Sequence, residues 1–135
     1  QIGLDAPAYW GDSDDILMYG AGQSIISLPP GFGTAVIFSG HNNTYFECLQ
    51  NAAEGNVIQF RTNYCDYEYT VNRVEVIDEN TLADVLINSA TDESEEQLIL
   101  YTCYPFHVIS GRKTERLVVF AERTSGLDVK WRSSD

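Results

Sequence analysis

The chain has 135 residues, of which 44% are hydrophobic, and this is enough for one domain with a substantial core. Twenty acidic and eight basic residues give a formal net charge of −12. This charge disfavours nucleic acid and anionic membranes as main partners, because both attract clustered positive charge. The charge is uneven, since residues 1–103 hold sixteen acidic and two basic residues, whereas residues 104–135 hold four acidic and six basic ones.

Strands dominate the predicted secondary structure. Period-two alternation and short β-branched or aromatic runs between turn residues are typical of strands. The predicted strands cover residues 8–10, 24–28, 34–38, 56–62, 66–77, 97–103 and 116–122. Six to eight strands with few helices predict a mostly β single domain over residues 1–135, folded as a closed or nearly closed β-barrel.

Helices are predicted to be few and short. Capping-box spacing at residues 44–47 opens one helix, the same spacing at residues 81–84 opens a second, and residues 12–19 form a third. The acidic stretch 92–96 is predicted to be a solvated loop, with calcium ligation as the alternative. No apolar run approaches the roughly 20 residues of a membrane-spanning helix.

The three cysteines are Cys48, Cys65 and Cys103, and none has zinc-finger spacing. Cys103 ends the most apolar strand and lies just before Pro105, where strand pairing must weaken and a substrate could reach the thiol. The alternative is that Cys103 is a small buried hydrophobic residue. Cys48 and Cys65 are predicted to be inert packing thiols, with a bridge between them left open.

His41 follows a similar apolar strand through the turn Ser39-Gly40. Taken alone, a histidine at a strand end is more often structural or on the surface. If its strand neighbours the Cys103 strand in a barrel, however, an imidazole and a thiol meet at one rim. His107, in the loop after Cys103, is predicted to flank the site or to be solvated.

Arg116 opens the strand that follows Cys103. A hairpin between the two strands would return Arg116 near Cys103, where a guanidinium favours the thiolate and stabilises an oxyanion. The alternative is a surface ion pair with Glu115 or Glu122, which contributes little to stability.

Three motifs in this order resemble those of the sortases, the cysteine transpeptidases of Gram-positive bacterial surfaces. The motifs are Ser39-Gly40-His41, Leu100-Tyr101-Thr102-Cys103 and Glu115-Arg116-Leu117-Val118-Val119. Leu4-Asp5-Ala6-Pro7 and Leu28-Pro29 extend the resemblance over nearly the whole chain, and Thr102-Cys103-Tyr104-Pro105-Phe106 is most similar to class D. Ile99 departs from the usual Thr of the family, and Ser39 from the common Ala.

The resemblance implies a closed eight-stranded β-barrel with two or three short helices. It implies His41, Cys103 and Arg116 as the catalytic set. It also implies that Leu100, Thr102 and Tyr104 bind substrate.

The reaction that the resemblance implies is a transpeptidation. The Cys103 thiolate would attack the Thr carbonyl of a Leu-Pro-x-Thr-Gly or Leu-Pro-x-Thr-Ala sorting signal, and a thioacyl intermediate would form. His41 would serve as acid and then base, and Arg116 would orient the substrate or stabilise the oxyanion. The implied partners are surface proteins that carry the signal and a peptidoglycan amine, and no cofactor or metal is required.

The resemblance further implies a place at the extracellular face of a Gram-positive cell membrane. Family members usually have an N-terminal membrane anchor, and we expect a chain that opens at Gln1 to be a fragment that lacks it.

Other classes fit less well. L,D-transpeptidases place Gly before and Arg after the cysteine, whereas Thr102 and Tyr104 flank Cys103 here. Papain-like proteases place the cysteine before the histidine, whereas His41 precedes Cys103. A non-enzymatic β-barrel module for surface adhesion or peptide binding, with structural His and Cys, stays the open alternative.

Overall fold

The computed structural model describes residues 8–10, 21–23, 35–40, 47–62, 65–91, 96–104 and 114–126. The strands are β1 (Ala8–Trp10), β2 (Ala21–Gln23), β3 (Val36–Ser39), β4 (Val57–Arg61), β5 (Asp66–Asp78), β6 (Gln97–Tyr104) and β7 (Glu115–Ser125). A 3-10 helix covers Glu47–Asn51, and an α-helix, α1, covers Glu79–Thr91. The described part of the chain is therefore mostly β, as predicted.

The seven described strands join one sheet in the order β1-β2-β3-β6-β7-β5-β4. β1 pairs with β2 and β3 with β6 in parallel, and the other neighbours are antiparallel. Because β6 lies between β3 and β7, its carboxyl end meets the carboxyl end of β3 and the amino end of β7. Residues from three separate parts of the sequence thus come together there.

Each face of this sheet carries a cluster of buried residues. On one, here called the inner face, the strands pack into a cluster that Leu49 of the 3-10 helix completes. On the other, here called the helix face, Leu82 and Leu86 of α1 cover strand residues. Alternation along β6 shows the division, because Leu100 belongs to the inner cluster and Ile99 to the cluster under α1.

The sheet is strongly curled. β3 and β4 are four strand steps apart, which would separate them by about 19 Å in a flat sheet. Yet the rings of Phe38 in β3 and Phe60 in β4 lie with their centroids 5.1 Å apart. This contact requires the inner face to fold over on itself. Within the described residues no pairing joins β4 to β1, so closure into an eight-stranded barrel stays a prediction.

Several predicted elements differ in their limits. Of the helix predicted from residue 44, Glu47–Asn51 form a 3-10 helix, and residues 44–46 lie outside the described residues. α1 begins at Glu79 rather than at residue 81, because the Asp78 carboxylate accepts a hydrogen bond from the Asn80 N–H at 2.8 Å and caps the first turn. A short strand forms at residues 21–23. The strand predicted at 24–28 and the helix predicted at 12–19 lie outside the described residues.

The prediction of a solvated acidic loop over residues 92–96 is wrong at Glu96 and stays a prediction for residues 92–95. Glu96 is 8% exposed. Its carboxylate accepts a hydrogen bond from the Tyr69 hydroxyl and forms an ion pair with Arg123 at 3.3 Å. Residues 92–95 lie outside the described part of the chain, so the calcium alternative stays a prediction. In the described ranges, no group of three or more His, Cys, Asp or Glu side chains could hold a metal ion.

Tyr69, whose hydroxyl donates to Glu96, has a shifted pKa. Burial raises the pKa of Tyr69 well above its usual range, and the hydrogen bond to Glu96 raises it further.

No helix among the described residues is long and apolar enough to cross a membrane.

Candidate active site

Cys103 and Arg116 are brought together by the β6–β7 pair. In this antiparallel register Cys103 lies opposite Arg116, with Thr102 opposite Leu117 and Tyr104 opposite Glu115. Directly opposed residues have their Cβ atoms about 5 Å apart. Cys103 and Arg116 therefore lie close together, as the hairpin between their strands predicts.

The thiol lies on the helix face of the sheet. Cys103 alternates with Thr102 and Tyr104 and shares its face with Ile99 and Tyr101, which pack in the cluster under α1. Its side chain is half-buried, and its sulfur is a thiol rather than part of a disulfide. Cysteines that act as nucleophiles are partly accessible and lie in electropositive surroundings, and the residue opposite Cys103 is an arginine.

The Arg116 guanidinium is held at both of its terminal nitrogens. Nη2 donates to Oε2 of Glu79 at 3.0 Å, and Nη1 donates to the backbone carbonyl of Glu115 at 2.9 Å. The Arg116 and Glu79 side chains are only 21% and 16% exposed. The acidic partner is thus Glu79, at the start of α1. Of the two ion-pair partners that the sequence offers for Arg116, Glu115 accepts through its backbone carbonyl. Glu122 lies opposite Gln97 in the strand register, at the other end of β6.

The carboxyl end of β3 is tied to the same end of β6. The Thr102 hydroxyl donates to the Gly40 carbonyl at 2.6 Å, and the Gly40 N–H donates to the Tyr101 carbonyl at 3.4 Å. Gly40 directly precedes His41, and Thr102 directly precedes Cys103. His41 itself lies outside the described residues, as does His107.

The three residues predicted to bind substrate occupy the inner face. Leu100 and Thr102 are buried, at 4% and 2% exposure, and half-buried Tyr104 packs against the inner cluster. Leu100 and Thr102 therefore pack and hydrogen-bond within the protein, on the face opposite to Cys103. Substrate binding by these three residues stays a prediction.

Cys65 lies apart from Cys103. It precedes β5, whose opposite end carries Ile77, the partner of Arg116 in the β5–β7 register. Its thiol donates to the Asp66 carbonyl at 3.3 Å. Because Cys65 is a thiol in the structure, the Cys48–Cys65 bridge left open from sequence is not formed.

Sequence reasoning missed Glu79. It lies 37 residues before Arg116 and belongs to a different element, so no local spacing marks the pair. The only sequence signal is its position at a strand–helix junction, next to the capping residue Asp78.

Comparisons with known proteins agree with the motifs. A family model described as Sortase domain matches residues 1–124 of the chain. The curated protein sortase D of Bacillus subtilis (strain 168) is 24% identical over 125 residues, which cover 93% of this chain and 61% of that protein.

Solved structures of relatives share the fold. Sortase C from Clostridium perfringens SM101 matches with a TM-score of 0.74 and 30% identity over 89% of this chain and 63% of that one. The structure of Clostridium perfringens sortase C with the C-terminal cell wall sorting motif matches with a TM-score of 0.73 and 29% identity over 88% and 63%. The chain thus spans less than two thirds of the length of each of these relatives.

Proposed function

The chain belongs to the sortase family, and we propose that it is a cysteine transpeptidase. Its substrate would be a surface protein with a Leu-Pro-x-Thr-Gly or Leu-Pro-x-Thr-Ala sorting signal, cleaved after Thr. Its acceptor would be a peptidoglycan amine. The observation that carries the proposal is the β6–β7 register, which places Cys103 opposite Arg116. This pair lies at the carboxyl end of β6, and a hydrogen bond joins that end to the carboxyl end of β3.

In the first proposed step, the Cys103 thiolate attacks the Thr carbonyl carbon and a C–S bond forms. The carbonyl oxygen takes up negative charge in the tetrahedral intermediate, where the Arg116 guanidinium would stabilise it or orient the substrate. The C–N bond then breaks, and His41 gives its proton to the leaving amine. The product is a thioester between Thr and Cys103.

In the second proposed step, the amine of a peptidoglycan precursor attacks the thioester. His41 takes a proton from this amine, a new amide bond forms, and the C–S bond breaks to return the thiolate. Thiolate is nucleophilic without deep activation, and imidazole can serve as acid and base in turn, so neither step calls for a cofactor.

The β3–β6 register supports the role of His41. Ser39 pairs with Tyr101, a separation of 62 residues, and the Thr102–Gly40 hydrogen bond spans the same separation. Continued beyond the described residues, this spacing would pair His41 with Cys103. In alternation with Ser39 and Tyr101, both would belong to the helix face.

Barrel closure, the sortase class and the site of action are each supported by a separate observation. The contact between Phe38 and Phe60 supports closure of the curled sheet into an eight-stranded barrel. The relative described as sortase D supports class D, although the solved structures above are class C enzymes. The family also supports a site of action at the extracellular face of a Gram-positive cell membrane.

Cleavage of a quenched fluorescent sorting peptide tests the proposed function. We expect Leu-Pro-x-Thr-Gly or Leu-Pro-x-Thr-Ala peptides to be cleaved between Thr and the next residue, and Cys103→Ala to abolish cleavage. Cys65→Ala and Cys48→Ala are the matched controls and should retain turnover. Full turnover by Cys103→Ala would contradict the proposal. Binding of the peptide without cleavage by the wild type would instead support the non-enzymatic peptide-binding module.

A further inference from the structure

We propose that Glu79 is a positioning residue for the reaction, and that it acts by holding the guanidinium of Arg116, the residue opposite Cys103, in a fixed plane. The inference rests on the proposed function, because it assigns Glu79 a part in the same site. Its basis is the ion pair between Glu79 Oε2 and Arg116 Nη2 at 3.0 Å.

Two acceptors from different elements fix the orientation of this guanidinium. Glu79 at the start of α1 takes one terminal nitrogen, and the Glu115 carbonyl of β7 takes the other. A planar group held at both terminal nitrogens cannot rotate about its axis without breaking a charge-assisted hydrogen bond. The pair therefore sets the direction in which Arg116 presents its donors.

The backbone that carries the Glu79 carboxylate is itself anchored. The Glu79 N–H donates to the Thr114 carbonyl at 2.8 Å, which ties the first residue of α1 to the segment that enters β7. Next to it, Asp78 pairs with Glu115 in the β5–β7 register. Farther along the helix, Leu82 and Leu86 pack on the helix face of the sheet. The helix start cannot shift relative to Arg116 unless these contacts change.

Burial separates this pair from an ordinary surface ion pair. Exposed pairs contribute little, but both side chains here are mostly shielded from water. The carboxylate also offsets the positive charge of Arg116. Arg116 should then act mainly through directed hydrogen bonds rather than through net charge, and these depend on the hold that Glu79 provides.

Steady-state kinetics of Glu79→Gln and Glu79→Asp on the sorting peptide test the inference. Glu79→Gln keeps the shape but loses the charge, and we expect kcat to fall on the order of 10- to 100-fold with KM changed less than about threefold. Glu79→Asp keeps the charge at the helix start but shortens the reach by about one C–C bond. We expect Glu79→Asp to have the thermal unfolding midpoint of the wild type but a reduced kcat. This difference separates a positioning role from an effect on helix stability.

The controls make the outcome specific. Glu122→Gln removes a carboxylate from the exposed far end of β7 and should leave kcat within twofold of wild type. In an Arg116→Lys background, Glu79→Gln should cost less than about twofold, because the group that it positions is already lost.

Three results would overturn the inference. They are a kcat of Glu79→Gln within twofold of wild type, a kcat above wild type, and full recovery of kcat in Glu79→Asp. If the wild type and Glu122→Gln both fail to cleave any sorting peptide, the proposed function is wrong and the positioning role is wrong with it. If both cleave and Glu79→Gln equals them, only the positioning role is wrong.

Discussion

Cys103 and Arg116 lie opposite each other on adjacent antiparallel strands, on the sheet face that α1 covers. A slip of one residue in this register would turn one of the two side chains to the inner face. The register is fixed by buried neighbours such as Leu100, which pairs with Val119 in the inner cluster. The hydrophobic core therefore determines the geometry of the candidate site.

Arg116→Lys should reduce kcat/KM for the sorting peptide on the order of a hundredfold, although it keeps the positive charge. Lysine lacks the planar fork that reaches both Glu79 and the Glu115 carbonyl, so its donors cannot be held in the same direction. Steady-state cleavage kinetics measure the loss. Arg61→Lys, an exposed arginine in β4, is the control and should match the wild type. Near-native turnover in Arg116→Lys would mean that a general positive charge is sufficient.

Thr102→Val should lower both stability and turnover. The substitution keeps the size of the side chain but removes the hydroxyl that donates to the Gly40 carbonyl at 2.6 Å. Loss of this buried hydrogen bond should cost about 1–3 kcal/mol of unfolding free energy. Turnover should fall about tenfold, because the end of β3 that leads to His41 is then held less firmly.

Urea unfolding and peptide cleavage measure these two effects of Thr102→Val. Thr70→Val is the matched control, because the Thr70 hydroxyl contacts that of Thr124 in an exposed part of the sheet. If Thr102→Val unfolded at the same urea concentration as the wild type and kept full turnover, the tie between β3 and β6 would have no role in the site.

Tyr69→Phe should remove an alkaline sensitivity of the fold. The pKa of Tyr69 is raised in the folded protein by burial and by its hydrogen bond to Glu96, so the folded state favours the neutral phenol. The resulting stability is fully present below the ordinary tyrosine pKa of about 10. It is lost as the pH rises above that value, because the unfolded chain releases the proton first.

Urea unfolding at several pH values tests this linkage. At pH 8 the free energy of unfolding of the wild type should exceed that of Tyr69→Phe by about 1–3 kcal/mol, because the variant loses the buried hydrogen bond from the Tyr69 hydroxyl to the Glu96 carboxylate. The difference should shrink as the pH rises above 10. Parallel curves for the two proteins across the alkaline range would show that Tyr69 does not titrate differently in the folded state.

The strands that carry the site were predictable, because their local patterns and their packing agree. The apolar run over 97–103 and the β-branched run over 116–122 are both consistent with strands buried on two faces, and both form with nearly those limits. The closeness of Cys103 and Arg116 follows from a hairpin between consecutive strands. For such neighbours, sequence order and spatial order coincide.

Pairs from distant elements could not be predicted in the same way. The acidic neighbours of Glu96 in sequence predict a solvated loop, but its partners Tyr69 and Arg123 each lie 27 residues away. The ion pair of Glu79 with Arg116 also depends on how α1 docks on the sheet. Local composition reports average exposure, whereas these contacts arise from the curl of the sheet and the placement of one helix.

We expect Cys103 to form a covalent thioester with the Thr of a sorting signal. Intact-protein mass spectrometry after brief mixing with a Leu-Pro-x-Thr-Gly or Leu-Pro-x-Thr-Ala peptide, followed by acid quenching and proteolytic mapping, measures this directly. The fragment that contains Cys103 should gain the mass of the Leu-Pro-x-Thr acyl group. The adduct should be lost on addition of hydroxylamine, and Cys103→Ala should form no adduct. An adduct on Cys65, or cleavage with normal turnover by Cys103→Ala, would contradict this expectation.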